Sequence, residues 1–271
     1  MTGERVRLDG EKATLLATLY GRALDARSPD PILGDTMAVR AVERIDHDFT
    51  QIGMDRRKAR AVAFRARFLD GWAAEFLAGR PRAVVLHLGC GLDTRVWRLD
   101  PPPSVAWFDV DYPEVAGLRR RLFPGRPGLT TAGAQVTEPG WLDQVPTGRP
   151  VLVIAEGLVY YLDETGGRDL FRRIADRFPE GQFVFDALSR LGLRLQVLNS
   201  PVRKAGARMH WAVRGPRDLE SIHPRLRCRD AISAVDLPGI DRQDVVVRAT
   251  ARLMRAVPGL RRAAVLYRLE F

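Results

Sequence analysis

Cysteine is almost absent from this sequence: Cys90 and Cys228 are the only two in 271 residues. Two thiols cannot build a disulfide framework, and Cys90 stands between two glycines in a loop that suits a ligand better than a crosslink. We therefore expect a protein of a reducing compartment, the cytoplasm.

Long apolar runs are missing as well. The longest, such as Val151–Ala155, fall far short of the roughly 20 residues that a membrane-spanning helix needs. Charged residues rather than an apolar segment follow Met1, so we expect neither export nor a membrane anchor.

Histidine is scarce, and its pattern argues against a metal site. The four histidines have no metal-ligand spacing, and the two cysteines form no Cys-x-x-Cys pair. His87 lies inside a predicted strand, where we expect a hydrogen-bonded core histidine.

Lysine occurs only at Lys12, Lys58 and Lys204, and arginine supplies every other basic residue. The net charge of +10 could mark a surface that binds polyanions. The basic residues are scattered, however, and clusters such as Arg119–Arg121 and Arg172–Arg173 fall on predicted helices, where a solvated face is the simpler explanation. The charge alone therefore does not predict a nucleic-acid partner.

The length and the 46% hydrophobic content suit one enlarged α/β domain. Residues 1–80 carry apolar stripes at helical spacing and no strand pattern, so they predict a helical cap. Residues 81–271 alternate short apolar runs with amphipathic stretches, which is typical of a doubly wound, mainly parallel sheet. We expect an insertion in this core at about 189–225.

The pattern predicts individual elements within the core. The candidate strands are Ala83–Leu88, Val105–Val110, Val151–Ala155, Gln182–Phe185, Met209–Val213 and Ala264–Phe271. The candidate helices are Pro113–Leu122, Glu164–Phe178 and Asp244–Ala256.

A glycine-rich loop follows the first predicted strand. Gly89 and Gly91, on either side of Cys90, let the backbone approach a ligand without an intervening Cβ. About 20 residues further on, the second strand ends at Asp109 and Asp111, where a carboxylate can accept hydrogen bonds from ribose hydroxyls. The two features together predict a Rossmann-like nucleotide site.

The cofactor class follows from the end of the loop. A dinucleotide site uses a third glycine for close approach to the pyrophosphate, whereas this chain has Thr94 there, after the acidic Asp93. S-adenosyl-L-methionine (SAM) has no phosphate and tolerates a nearby carboxylate. The loop, with Cys90 and Asp93 among its expected cofactor contacts, therefore favours a class I SAM-dependent methyltransferase over an NAD enzyme.

The chain resembles the leucine carboxyl methyltransferase family, and within it the tetracenomycin-type branch of polyketide O-methyltransferases. The likeness runs from about Lys12 to Phe271. The segments that carry it are Arg65–Asp70, Gly89–Arg95, Asp109–Val115 and Ala155–Leu162.

The resemblance implies a role for several residues. It implies that Arg65 holds the methionine carboxylate of SAM, that Asp111 binds the ribose and that Glu156 contacts the cofactor. Arg22 is a second implied carboxylate contact. A guanidinium fork pairs well with a carboxylate, which agrees with the arginine assignments.

One segment departs from the family pattern. The family usually has an Asp-Leu pair before the tryptophan that matches Trp141, whereas this chain has Gln135 and Val136. A glutamine amide can both accept from and donate to the adenine edge. We therefore expect the adenine contact to persist without its charge.

The sequence leaves the acceptor open. A carboxylate acceptor needs no base, whereas a phenol, with a pKa of about 10, benefits from a general base, for which His210 is the only histidine we nominate. Tyr160 could border the acceptor or simply pack. The absence of an acid–base pair favours a carboxyl acceptor, and residues 10–60 and 189–225 are expected to shape its pocket.

Other readings stay open. The aspartates could merely solvate a strand end, and Glu156 and Arg65 could serve in ordinary ion pairs. A nucleic-acid methyltransferase, an NAD-dependent oxidoreductase and a catalytically silent SAM-binding protein are the alternative functions. Glu156-Gly157-Leu158 in place of an Asn/Asp-Pro-Pro-aromatic motif counts against the first.

Overall fold

A seven-stranded sheet forms the centre of the computed structural model, which describes residues 4–6, 10–196, 202–203 and 206–271. The strands are β1 (Val84–Leu88), β2 (Ala106–Asp111), β3 (Leu129–Gly133), β4 (Val151–Ala155), β5 (Gly181–Leu188), β6 (Arg227–Ser233) and β7 (Ala264–Glu270). Their order across the sheet is β3-β2-β1-β4-β5-β7-β6.

The five strands from β3 to β5 are parallel, and β7 runs antiparallel to both of its neighbours. The usual dinucleotide-binding order, 3-2-1-4-5-6, has no strand inserted between the fifth and the sixth. The inserted antiparallel β7 therefore separates this sheet from a dinucleotide fold. The predicted doubly wound, mainly parallel α/β sheet is confirmed.

Helices cover both faces of the sheet and one of its edges. They are α1 (Thr14–Ala26), α2 (Thr36–Arg44), α3 (Arg56–Leu77), α4 (Arg95–Leu99), α5 (Pro113–Leu122), α6 (Glu164–Arg177), α7 (Arg190–Leu195), α8 (Pro216–Glu220), α9 (Val245–Ala256) and α10 (Pro258–Arg261). The strands β1 and β4 are buried along their whole length because helices pack against both sides.

The cap consists of α1, α2 and α3. Asp35 and Asp55 cap α2 and α3, each accepting a hydrogen bond from a main-chain N–H of the first turn. Leu16 and Leu19 of α1 pack with Leu92, beside the glycine loop, and with Leu118 of α5. The cap is thereby fixed over the carboxyl edge of the sheet.

Two strands of the sheet were not predicted from the sequence. The strand β3 reads Leu-Thr-Thr-Ala-Gly and β6 reads Arg-Cys-Arg-Asp-Ala-Ile-Ser, and both lie at sheet edges. Edge strands carry polar and charged residues and so lack the apolar pattern of a central strand. The expectation of no strand in the first 80 residues was also wrong, because Glu4–Arg5 and Ile45–Asp46 form a short parallel pair.

The predicted strand Met209–Val213 was wrong, because this segment has no regular structure. Its alternating burial comes from packing: Trp211 and Val213 are buried, while the main-chain N–H groups of His210 and Val213 donate to Tyr160 O and Leu188 O. Part of the expected insertion at 189–225, namely residues 197–201 and 204–205, lies outside the described residues. The division into a cap at 1–80 and a core at 81–271 stays a prediction.

Within the described part of the chain, no helix is long and apolar enough to cross a membrane. No group of three or more histidine, cysteine, aspartate or glutamate side chains there could hold a metal ion.

Candidate active site

A cavity of about 660 Å³ lies at the carboxyl ends of β1, β2, β4 and β5, beneath α1 and α3. Open α/β sheets bind ligands at this edge, and the volume is typical of a cofactor or substrate site. One part of the wall is polar and includes Arg22, Arg65, Asp111, Glu156 and Asp186. Another part is apolar and includes Met54, Val62, Leu188, Met209, Leu237 and Ile240.

The loop after β1 requires its glycines. Gly89 and Gly91 have φ angles of 58° and 48°, which only glycine adopts without strain. A Cβ atom on Gly89 would lie 2.9 Å from Leu158 Cδ1, and one on Gly91 would lie 3.2 Å from Leu15 Cβ. The backbone therefore passes close under the cavity, and Gly89, Cys90 and Gly91 all line it.

Asp111 lies at the end of β2 and faces the cavity. Its Oδ2 accepts a hydrogen bond from Gly91 N at 2.7 Å, and its Oδ1 accepts one from Tyr112 N at 2.8 Å. Burial raises the pKa of this carboxyl group. A carboxylate has about four acceptor sites, so two remain for a ligand with neighbouring hydroxyls.

Asp109 does not line the cavity, and we drop it from the proposed cofactor contacts. It is fully buried and accepts hydrogen bonds from His87 Nδ1 at 3.0 Å, from Trp107 Nε1 at 2.9 Å and from Arg119 Nη2. Burial raises its pKa, but the Arg119 charge and the hydrogen bonds from His87 and Trp107 together outweigh that effect and leave the pKa below its ordinary value. Arg119 also donates to Gly91 O, so Asp109 supports the loop from beneath. His87 is the hydrogen-bonded core histidine that was expected, although its side chain also reaches the cavity wall.

Arg65 of α3 enters the cavity from the cap and bridges two carboxylates. Its Nε donates to Glu156 Oε1 at 3.0 Å, and its Nη1 donates to Asp186 Oδ2 at 3.0 Å. Asp186 Oδ1 accepts from Gly157 N at 2.6 Å. Arg65 is thus held in place while its Nη2 has no hydrogen bond to a residue that the structure describes.

Sequence reasoning missed Asp186. The predicted fourth core strand stopped at Phe185, whereas β5 continues to Leu188 and carries Asp186 to the cavity wall. Burial raises the pKa of Asp186, and the Glu156 charge raises it further while Arg65 lowers it. The signal that could have identified Asp186 is an aspartate directly after an apolar run whose strand neighbours the site in the sheet.

Glu156 follows β4 directly. Arg65 occupies its Oε1, and Arg95 Nη2 donates to its Oε2. Burial raises the pKa of Glu156, but the two arginines outweigh that effect and keep the group ionised. Glu156 therefore serves in ion pairs and also lines the cavity.

Arg22 of α1 is a buried arginine that makes only long ion pairs. Only 3% of the residue is exposed, and its Nε has no hydrogen-bond partner among the described residues. The nearest carboxylates, Asp35 and Asp93, lie 3.6 and 3.8 Å away. Arg22 also lines the cavity, so its positive charge suits an anionic ligand group bound there.

The sequence implied that Asp93 carries a free negative charge beside the glycine loop, but in the structure arginines pair with it. Its carboxylate lies 2.8 Å from Arg98 Nη1 and 3.2 Å from Arg95 Nη1. Burial raises the pKa of Asp93, but these arginines hold it well below its ordinary value. Because its charge is neutralised, repulsion of a pyrophosphate by Asp93 was the wrong reason to reject NAD, and the sheet order is the better one.

Gln135 and Val136 line the cavity after β3, as expected. Trp141 Nε1 donates to Val136 O at 3.0 Å and so holds this turn in place. The Gln135 side chain is exposed at the rim.

Tyr160 and His210, the two catalytic candidates, contact each other at the cavity wall. Tyr160 Oη lies 3.4 Å from Arg65 Nη1, and burial raises the pKa of the phenol well above its ordinary value. The His210 main-chain N–H donates to Tyr160 O at 2.8 Å. Both residues line the cavity, with His210 exposed at its mouth.

Comparisons with known proteins agree with this geometry. A family model described as leucine carboxyl methyltransferase matches residues 15–138. The chain is 46% identical over 269 residues to the tetracenomycin polyketide synthesis O-methyltransferase TcmP of Streptomyces glaucescens, covering 99% of this chain and 100% of that protein. It is 36% identical over 247 residues to an S-adenosyl-L-methionine-dependent methyltransferase of Gibberella zeae, covering 83% of each.

Solved structures share the fold at low identity. A crystal structure of a putative methyltransferase from Thermobifida fusca matches with a TM-score of 0.56 and 17% identity, over 92% of this chain and 93% of the other. A protein from Streptomyces avermitilis matches with a TM-score of 0.56 and 15% identity, over 96% and 97%.

Proposed function

This chain belongs to the leucine carboxyl methyltransferase family, and from that premise we propose that it methylates an oxygen atom of a small, largely apolar molecule of polyketide type. It is a SAM-dependent methyltransferase. One observation carries the proposal: a single cavity joins a wall of arginines and carboxylates, suited to the polar groups of SAM, to an apolar wall suited to the acceptor.

The residues present fit the cofactor. Arg22 and Arg65 both line the cavity, and Arg65 Nη2 has no hydrogen bond to a described residue, so the two guanidinium groups together match the methionine carboxylate. Asp111 offers acceptor sites to the ribose hydroxyls. The turn at Gln135 and Val136 would hold the adenine, and the glycine loop would lie beneath the ligand.

The acceptor end is mainly apolar. Met54, Leu188, Met209 and Leu237 contribute to its wall, with Tyr160 at the border of the polar part. Such a wall binds a flat or elongated apolar molecule by burying its surface. This apolar lining favours a small acceptor over the nucleic-acid alternative.

The chain contributes to catalysis mainly by positioning the acceptor next to the cofactor. SAM, when bound, supplies a methyl group on a sulfonium that is already a strong electrophile. The apolar wall orients the acceptor and excludes water. Tyr160, which stays protonated because its pKa is raised, can donate a hydrogen bond to the acceptor oxygen. A carboxylate acceptor needs no base, whereas a phenol would use His210 at the cavity mouth.

A matched pair of acceptors tests the proposal. The purified protein is incubated with isotopically labelled SAM and either an aromatic polyketide carboxylic acid or its phenolic analogue without the carboxyl group. Mass spectrometry locates the label, and mild alkali distinguishes a methyl ester, which hydrolyses, from a methyl ether. Transfer to nitrogen or carbon, or no transfer to either acceptor, would contradict the proposal. The Asp111→Ala variant serves as the control for cofactor-dependent turnover.

A further inference from the structure

The helix α9 presents an apolar face to solvent. Val245 and Leu253 are 67% and 65% exposed, and Val246 and Val257 are also exposed. With Leu191 on α7, these are the exposed large hydrophobic residues of the described chain. The Leu191 side chain approaches Gly259 on α10, so it lies near Val257 at the carboxyl end of α9.

The helical geometry shows that this face points outward. At 3.6 residues per turn, Val245, Ala249, Leu253 and Ala256 lie on one side of α9, opposite the buried Ala251. A surface helix normally has its apolar stripe toward the core and polar residues toward water. An apolar outer face of this kind marks an interaction site.

Positive charge is concentrated in the part of the sequence that contains α9. Residues 1–188 contain 26 basic and 26 acidic residues, whereas residues 189–271 contain 17 basic and 7 acidic ones. The whole net charge of +10 therefore comes from the last 83 residues, and the expectation of scattered charge was wrong. Arg248 and Arg252, both exposed, flank the apolar face on α9.

The helix α9 also borders the acceptor end of the cavity. It packs on two short 3₁₀ turns, Ala234–Asp236 and Ile240–Arg242, and this segment contributes Ala234, Leu237 and Ile240 to the cavity wall. Gln243, just before α9, accepts a hydrogen bond from Arg60 of α3 at 2.5 Å. A partner bound to α9 would therefore sit beside the apolar part of the cavity.

We propose that the outer face of α9, with Leu191 and Val257, is a docking surface for an acidic protein that presents an aliphatic helix face flanked by carboxylates. Positive charge around an apolar face is complementary to such a partner and speeds its association. A second copy of this chain would instead bring Arg248 and Arg252 close to the same arginines of the other copy, and like charges repel. Residues 245–262 contain no aromatic side chain, which disfavours insertion into a membrane interface.

Photo-crosslinking in the producing cell tests the partner. A photoreactive phenylalanine analogue replaces Leu253, and a control protein carries it at Asp169, an exposed position on α6. We expect position 253, but not 169, to capture one acidic protein. That protein, purified, should bind the wild type with an affinity that falls as salt rises.

Two variants then separate the apolar and the electrostatic contributions. Leu253→Glu and the double variant Arg248→Glu/Arg252→Glu should each weaken binding of the purified partner at least tenfold, with unchanged thermal unfolding. Neither should alter methylation of a free acceptor, so a failure here is distinct from a failure of the proposed function. The proposal would be overturned if no crosslink formed, or if the crosslink led to lipid, to a second copy of this chain or to a neutral or basic protein. It would also be overturned if binding of the partner depended neither on salt nor on the two variants.

Discussion

Replacing Arg65 tests the cofactor site most directly, because the structure specifies what each part of its guanidinium does. The Nε and Nη1 atoms bond Glu156 and Asp186 at 3.0 Å, which leaves Nη2 for a ligand carboxylate. A hydrogen bond to a charged group contributes about 1.5–3 kcal/mol, so Arg65→Ala should weaken SAM binding roughly 10- to 150-fold. The loss should stay within that range because we propose Arg22 as a second contact to the same carboxylate. Arg65→Lys keeps the charge but cannot span both carboxylates and the ligand, so its loss should be intermediate.

Three ligands separate this role from simple destabilisation. SAM and its demethylated product both carry the methionine carboxylate, so calorimetry should show similar losses for the two. A decarboxylated analogue should lose far less, since it offers nothing to Nη2. Thermal unfolding of each variant is the control. An equal loss for the decarboxylated analogue would refute the carboxylate contact and leave Arg65 as a structural ion-pair residue.

The other predictions concern neighbouring groups. Asp111→Ala should weaken cofactor binding by about 1.5–3 kcal/mol without unfolding the protein, and unchanged affinity in calorimetry would remove the ribose role. Asp186→Asn should raise the KM for SAM about tenfold, since the amide keeps the shape but bonds Arg65 more weakly; an unchanged KM would show that Arg65 needs no such partner. Glu156 has a pKa below its ordinary value of 4.5, so its ionised form stabilises the fold above about pH 4.5, and that contribution is lost as the pH falls through the lowered pKa. The difference in Tm between wild type and Glu156→Gln should therefore shrink from pH 5 to pH 3, and a constant difference would count against it. Burial raises the pKa of Cys90, and it raises that of Cys228 to about 11, so both thiols should react with a disulfide reagent at pH 7.5 far more slowly than in denatured protein; equally fast labelling would contradict this.

The local parts of the site could be predicted from the sequence. Gly89 and Gly91 follow an apolar strand, and that order alone predicts a loop close to a ligand. The two aspartates of β2 show the limit. Asp109 and Asp111 share one face of the strand, but Asp109 lies two residues, about 6.6 Å, further from its end. It therefore falls beneath the loop, where His87 and Arg119 cover it.

Long-range pairs could not be predicted. Asp186 and Arg65 are 121 positions apart, and Arg22 reaches Asp93 from another helix. No periodicity in a single chain reports such contacts. For the same reason Asp93 was predicted to act as a free carboxylate, although the folded chain surrounds it with arginines.

These arginines also connect the cap to the cofactor loop. Arg98 of α4 bonds Asp35 at the start of α2, Asp70 of α3 and Asp93 after the glycine loop. Arg95 bonds Asp70 and, on its other side, Glu156. Because these side chains are largely buried, removing one partner leaves an uncompensated charge, which costs several kcal/mol. The cap therefore cannot separate from the loop without exposing or unpairing several charges at once. Since Arg22 and Arg65 reach the cavity from this same cap, the pocket that we propose for the methionine carboxylate is formed as the cap folds onto the sheet.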